Sequence, residues 1–358
     1  MTVFPSAKPS SAAVPNELFD PKALAHRALA GPPFTKEEML ALLRDPEDPE
    51  VLHILCRAAH LVRLKVFGNV LVLRGIIEFS NICRNDCLYC GLRRSNRNLV
   101  RYRMDEEEIF AAVERAIRMG FRRIVLQSGE DGAWHPDRLV RLVREIVTRY
   151  GVVLTLSVGE LPFEAYRRLM DAGAYRYLMR HETSDPELYA RLHPGTSFGV
   201  RREHLYTLKS LGYATGPGMM VGLPGQTLES LVDDVIFMRE LRAEMAGVGP
   251  FIPHPETPLR DAAPGSPILT LKMVALTRLN LPETHLPATT ALRVAFRDNP
   301  HLPLLCGPNV VMPDVTPPRW KVHYDLYPGK TKADLVDDGE NVYAYWERQA
   351  AEVGLVVD

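Results

Sequence analysis

Apolar side chains recur at helical spacing through residues 17–67. Beyond residue 70 they fall into short runs separated by further helical stretches. Residues 17–67 read as helical. Thr35 is an N-cap with Glu38 completing a capping box, and Pro46 and Pro49 interrupt the pattern. From about Pro49 to Phe67 one stripe carries Leu52, Leu55, Cys56, Ala59, Val62 and Val66. Val70–Leu73 and Gly75–Phe79 predict extended chain entering a loop. Asp105 and Glu108 form a second capping box, Ile109, Ala112, Val113, Ala116 and Ile117 give that helix its buried face, and Gly120 ends it. A strand at Ile124–Leu126 follows. Further helices are expected near 136–149, 162–171, 185–192, 199–211, 227–241 and 270–281. Strands are expected near 152–158, 175–180, 216–221 and 246–252, with extended segments at 285–290 and 304–312.

About eight strands separated by helices over roughly 240 residues predict an α/β fold with a parallel sheet. The best match is a (β/α)8 TIM barrel with an N-terminal helical extension, and an open doubly wound sheet is the alternative. The expected divisions are a disordered Ser-, Pro- and Ala-rich start at 1–15, a helical extension at 16–69, the barrel at 70–329 and a C-terminal helical tail at 330–358. In a barrel, the C-terminal ends of the strands carry the chemistry. Polar residues collect there: Gln127, Ser128, Gly129 and Glu130, then Ser157 and Glu160, then Arg180 to Thr183, then Thr289 and Thr290.

The first strand leads into Cys83-Arg84-Asn85-Asp86-Cys87-Leu88-Tyr89-Cys90, a C-x3-C-x2-C spacing. Three thiolates on one short loop each hold one iron of a 4Fe-4S cubane and leave the fourth iron without a protein ligand. That iron is free to be chelated by the amino and carboxylate groups of S-adenosylmethionine (SAM). Structural zinc, the bland alternative, asks for four ligands, usually as two paired half-sites. The remaining cysteines, Cys56 and Cys306, are distant and unpaired in sequence, and both read as small buried apolar residues with free thiols.

Charge narrows the field. Lys and Arg number 43 against 44 Asp and Glu, a formal net charge of -1, so no basic excess recruits nucleic acid. No apolar run is long enough for a membrane span, and no signal-peptide pattern opens the chain. A cytoplasmic protein is expected.

The cysteine spacing, with an aromatic residue before its last member, resembles the radical SAM superfamily signature. The likeness goes further. Ile77 to Arg94, Arg101 to Met104, Leu126 to Asp131, Arg180 to Thr183, Met220 to Gln226, Gly249 to Pro255 and Pro287 to Thr290 closely resemble the HydE family of [FeFe]-hydrogenase maturases. Methylornithine synthase resembles it next, and biotin synthase more distantly. The resemblance spans roughly residues 35–330. It implies a full barrel and one 4Fe-4S cluster on Cys83, Cys87 and Cys90, with SAM across the top, cleaved reductively to a 5′-deoxyadenosyl radical. Its implied cofactor residues are Tyr89, Gln127, Ser128, Gly129, Ser157, Arg180, Glu182, Arg201 and Met220. Its implied substrate residues are Thr289, Thr290, Met312, Tyr324 and Tyr327. The implied substrate is an iron carbonyl-cyanide cysteinate complex attacked at sulfur, and the implied partners are the maturases HydG and HydF and a reductant protein. A mutase or lyase acting on a small amino acid or carboxylate is the alternative. Each polar residue also has a structural reading: Arg180 with Glu182 as a barrel layer, the threonines as strand formers, and the tyrosines as packing. Two features depart from the family. Lys330 to Gly339 contains no cysteine, so no second cluster is expected, and Arg293 follows the paired threonines.

Overall fold

An acidic N-cap and a proline at the first helical position start the helix Pro49–Phe67. Its Asp48 carboxylate accepts from the Glu50 and Val51 amides, and Gly68 ends the helix at φ +64°. The computed structural model describes residues 16–330 and 341–358, so the expected disorder of 1–15 lies outside the described residues. The N-terminal region comprises a 3-10 turn Asn16–Phe19 and helices Pro21–Ala30, Lys36–Leu42 and Pro49–Phe67. The Thr35–Glu38 and Asp105–Glu108 capping boxes both form. The N-terminal helices bury Leu24, Leu55 and Val62 with Leu271, Val274 and Leu276 of the helix Pro267–Asn280.

Ten strands follow in chain order among the described residues: β1 (Val70–Leu73), β2 (Gly75–Ser80), β3 (Arg123–Ser128), β4 (Val153–Ser157), β5 (Arg176–Leu178), β6 (Ala214–Gly216), β7 (Gly218–Val221), β8 (Gly247–Pro250), β9 (Val310–Val311) and β10 (Val356–Val357). The strand pairs are parallel. β2 to β6 run in chain order, β7 pairs with β8, and β1 lies between β9 and β10. Parallel bridges also join Met245 to His285, Pro287 to Val310 and Ile76 to Asp314. The architecture is α/β, with parallel sheets and N-terminal helices.

Differences from the sequence expectation have local causes. The extended runs expected at 70–73 and 75–79 both form, but in different sheets: β1 pairs with β9 and β10 while β2 pairs with β3. The run expected at 216–221 divides at Pro217, which has no N–H for the ladder. Of the segment 304–312 only β9 is strand, because Leu302–Leu305 is a 3-10 turn. Among the described residues of the C-terminal tail, a helix spans Val342–Glu352, and β10 follows beside β1.

One cysteine expectation is overturned. Cys56 and Cys306 are not free thiols but a disulfide, closed across 250 residues. Both are buried, as expected. The helix Pro49–Phe67 packs on the Leu302–Leu305 turn and brings them together, a proximity that sequence separation conceals.

Candidate active site

β2 ends at Ser80 and passes the chain to the cysteine loop, which polar side chains tie down from within. The Asn81 amide donates to Val100 O (2.8 Å) and His323 O (2.7 Å), and its Oδ1 accepts from the Tyr102 amide (2.8 Å). The Arg101 guanidinium donates to four carbonyls: Asn81 (2.8 Å), Leu92 (2.9 Å), Arg93 (2.6 Å) and Asn96 (3.2 Å). Asp86 accepts from Arg93 and Ser95, and these bonds hold its carboxyl well below the usual carboxylate range. Gly129 follows β3 and lies so close to the loop that a side chain there would strike the Ile82 carbonyl and Cys83. The Glu130 amide points at Cys83 Sγ, 3.4 Å away.

Burial pushes all three thiols up, Cys87 to about 12; Cys83 raises Cys87 further, and both raise Cys90. Unliganded, they are protonated and inert; metal binding is what makes thiolates of them. Among the described residues, no three His, Cys, Asp or Glu side chains converge as ligands of a single metal ion. Thiolates that each take a different iron of a cubane need no such common point. Three soft donors without a fourth therefore fit a site-differentiated 4Fe-4S cluster.

Two adjoining cavities open beside the loop. The larger, about 250 Å³, reaches from Tyr89 and Cys90 down to Arg74 and His285; the smaller, about 210 Å³, adjoins Cys87. Tyr89, Gln127, Ser157, Arg180 and Glu182 border both. Ser128, Arg201 and Tyr324 border the smaller, while Met220, Thr289, Thr290, Met312 and Tyr327 border the larger. Tyr324, expected at the substrate end, is thus on the Cys87 side. Gly129 borders neither and packs behind the loop.

The smaller cavity has donors and acceptors suited to a zwitterionic nucleoside. Arg201 sits 2.9 Å from Glu160 and 3.8 Å from Glu130, and donates to the Tyr189 hydroxyl at 3.2 Å. Burial opposes the guanidinium charge, but Tyr189, Glu160 and Glu130 together override it and raise its pKa. Glu182 sits at φ +63°, a left-handed backbone that side chains rarely adopt. One of its oxygens lies 3.0 Å from Arg180, yet no donor is aligned with that buried atom. Tyr89 donates to His193 Nε2 (2.8 Å), whose Nδ1 donates to Tyr189 O (2.8 Å).

These features sit on a chain with recognisable relatives. The radical SAM superfamily profile matches residues 77–238. [FeFe] hydrogenase maturase subunit HydE of Thermotoga maritima is 52% identical over 297 residues, covering 83% of this chain and 85% of that protein. The chain belongs to the HydE family of radical SAM enzymes. This HydE-family chain is also 31% identical to 3-methylornithine synthase of Methanosarcina acetivorans over 74% of its own length and 76% of that protein's. The crystal structure of methylornithine synthase (PylB) superposes with TM-score 0.83 at 28% identity, covering 94% of this chain and 97% of that one. HydG superposes at TM-score 0.80 and 20% identity, covering 97% and 77%, a likeness of fold alone. Radical SAM membership implies dependence on a 4Fe-4S cluster and SAM, and Cys83, Cys87 and Cys90 are the cysteines with the required spacing.

Sequence reasoning missed one part of the HydE-family cavity. Glu78, Asp314 and Lys330 meet in its wall, with Lys330 Nζ 2.6 Å from Glu78 and 3.3 Å from Asp314. Burial opposes the Lys330 charge, but the two carboxylates override it and raise its pKa; burial and Asp314 drive Glu78 well up. Gln127 Nε2 donates to Glu78 (3.3 Å), and the Ser157 hydroxyl donates to Gln127 Oε1 (3.3 Å). Glu78, Gln127 and Ser157 are direct register partners on β2, β3 and β4, so this polar row is one rung of the sheet. A carboxylate amid Ile76, Ile77 and Phe79 was a readable signal. Lys330 gave none.

The paired threonines are partly committed to the fold. Thr289 caps the helix Thr290–Ala295, accepting from Leu292 N (3.3 Å) and donating to Val248 O (3.2 Å). Thr290 Oγ1 accepts from Arg293 (3.1 Å).

Proposed function

We propose that this chain is a radical SAM maturase of [FeFe]-hydrogenase. Its 52% identity to HydE over most of both chains carries the proposal. When bound, the cluster supplies the electron that cleaves the sulfonium C–S bond of SAM and yields a 5′-deoxyadenosyl radical. Cys83, Cys87 and Cys90 hold it, Arg101 and Asn81 fix the shape of their loop, and Gly129 lets the loop lie close. Glu182, Arg201, Ser128, Ser157 and Gln127 orient SAM in the smaller cavity, with Tyr89 and Arg180 at its border and Met220 in the adjoining larger one. A guanidinium suits a carboxylate, and a carboxylate suits an ammonium or ribose hydroxyls. Thr289, Thr290, Met312 and Tyr327 line the substrate cavity, while Tyr324 borders the smaller one. The substrate is an iron carbonyl-cyanide cysteinate complex received from HydG, and the product passes towards HydF.

In this reading residues 16–69 are a helical extension, 70–329 a complete (β/α)8 barrel and 330–358 a tail, in a cytoplasmic protein with one cluster. The bridges at Met245–His285, Pro287–Val310 and Ile76–Asp314 support closure, because they continue the parallel pairing beyond β8 and back to β2. Among the described residues no helix is long and apolar enough to cross a membrane.

The test is electron paramagnetic resonance of the anaerobically reconstituted, dithionite-reduced protein with and without SAM, followed by product analysis. A reduced cluster signal that moves with SAM is expected, together with 5′-deoxyadenosine or an adenosylated product. Cys87→Ala should abolish both, and cleavage retained in that variant would sink the assignment. Rearrangement of an amino acid with SAM regenerated would move the chain to the methylornithine synthase type.

A further inference from the structure

Although the chain is nearly neutral, the segment Cys83–Met104 carries six arginines, Arg84, Arg93, Arg94, Arg97, Arg101 and Arg103, against one carboxylate, Asp86. Three are spent internally: Arg93 on Asp86, Arg101 on four carbonyls and Arg103 on Asp131. The other three face outward. Arg94 and Arg97 are exposed and have no ion-pair partner among the described residues, and Arg84 keeps 63% of its side chain exposed although it pairs with Glu130. Two carboxylates stand at its edge: Glu256 accepts from Asn98, and Asp325, half-exposed on the Val322 segment, pairs with His254. Beside the arginines sit two valines in an unusual state, Val100 at 60% and Val322 at 61% exposure. Their segments are joined beneath the surface, because the Asn81 amide donates to both Val100 O and His323 O. On the Val322 side the exposed Arg319 is paired with Glu108 at 2.7 Å and adds no net charge. An apolar centre with a predominantly basic rim is the anatomy of a transient, electrostatically steered interface.

We propose that this face docks a small, acidic one-electron carrier over the cysteine loop. This rests on the radical SAM reading, which requires one electron per cleavage. The carrier loses one electron, and the cluster held by the loop gains it. The partly exposed cysteines lie on the same loop as Arg84, Arg94 and Arg97, so the basic face places the donor where the transfer path is shortest.

The test compares two electron sources on the reconstituted enzyme, reduced flavodoxin as the acidic carrier and dithionite as the small reductant. Arg94→Glu/Arg97→Glu should lower the second-order rate of flavodoxin-driven cluster reduction about tenfold or more at low salt and flatten its salt dependence. Dithionite-driven SAM cleavage should be unchanged. Val100→Asp gives an independent variant with the same expected split. Charge reversal at the remote exposed Arg118 and Arg144 should leave flavodoxin-driven reduction at its original rate. Equal loss there, or an unaltered rate in Arg94→Glu/Arg97→Glu, would overturn the proposal. Retained reduction with impaired substrate delivery would instead assign the face to a maturase and also overturn it. Failure of the unsubstituted protein to cleave SAM with dithionite would refute the radical SAM reading itself.

Discussion

Lys330 places its ammonium 2.6 Å from the Glu78 carboxylate inside the larger cavity, across 252 residues of chain. The Tyr324 ring lies 5.0 Å from the same ammonium. Removing the lysine leaves the buried Glu78 without its charged partner, at a cost of about 3 kcal/mol or more. Lys330→Met should therefore lower thermal stability and weaken substrate coupling, while Lys330→Arg retains most of both. SAM binding, read from the cluster spectrum, should shift little in either variant, because Lys330 does not border the smaller cavity. Collapse of SAM binding in Lys330→Arg would refute this division of labour.

Glu182 holds a left-handed backbone that costs on the order of 1 kcal/mol or more. Glycine adopts it freely. Glu182→Gly should leave the fold at least as stable by denaturant titration, yet lower SAM affinity about tenfold or more. A variant that bound SAM normally would show that the carboxylate serves packing only.

Arg101 closes the cysteine loop with a fork that no lysine reproduces. Arg101→Lys should lower the iron and sulfide retained after reconstitution and speed cluster loss to a chelator several-fold. The fold itself, followed by far-ultraviolet circular dichroism, should survive. Full cluster retention would show that the loop needs no internal staple.

His285 stands at the floor of the larger cavity, its pKa pushed down to about 4 by burial and by the charges of Arg74 and Arg176. The native imidazole stays neutral below pH 6.5, where the unfolded one takes up a proton. Stability therefore declines as pH falls from about 6.5 to about 4 and levels off below, by on the order of 2 kcal/mol from this residue. In His285→Gln the slope in that window should shrink. An unchanged slope would place the acid sensitivity elsewhere.

The alternation of helix and strand was legible because amphipathic helices such as Pro136–Tyr150 and fully apolar runs such as Ile124–Leu126 record their surroundings in composition. The cysteine loop was legible because local spacing fixes its geometry. What could not be read were contacts made only by the closed fold. Lys330 follows a Pro-Gly turn with no periodic pattern, and nothing near it in sequence names Glu78 as its partner. Cys56 sat on an apolar helical stripe that explained it fully as packing. Thr289 was legible as a cavity residue but not as a helix cap, since the six-residue helix it starts is too short to announce itself.

The Cys56–Cys306 bond has a thermodynamic consequence. It turns all of the chain between the N-terminal helices and the last lining strand into a covalent ring, so the unfolded molecule is a tethered loop with far fewer arrangements than a free chain. Opening a ring of this size forfeits roughly 5 kcal/mol in chain-entropy terms. The strong thiol reductants used to rebuild iron–sulfur clusters act on this bond as well. Oxidised and reduced preparations are then two proteins with the same fold and cofactors but different resistance to unfolding.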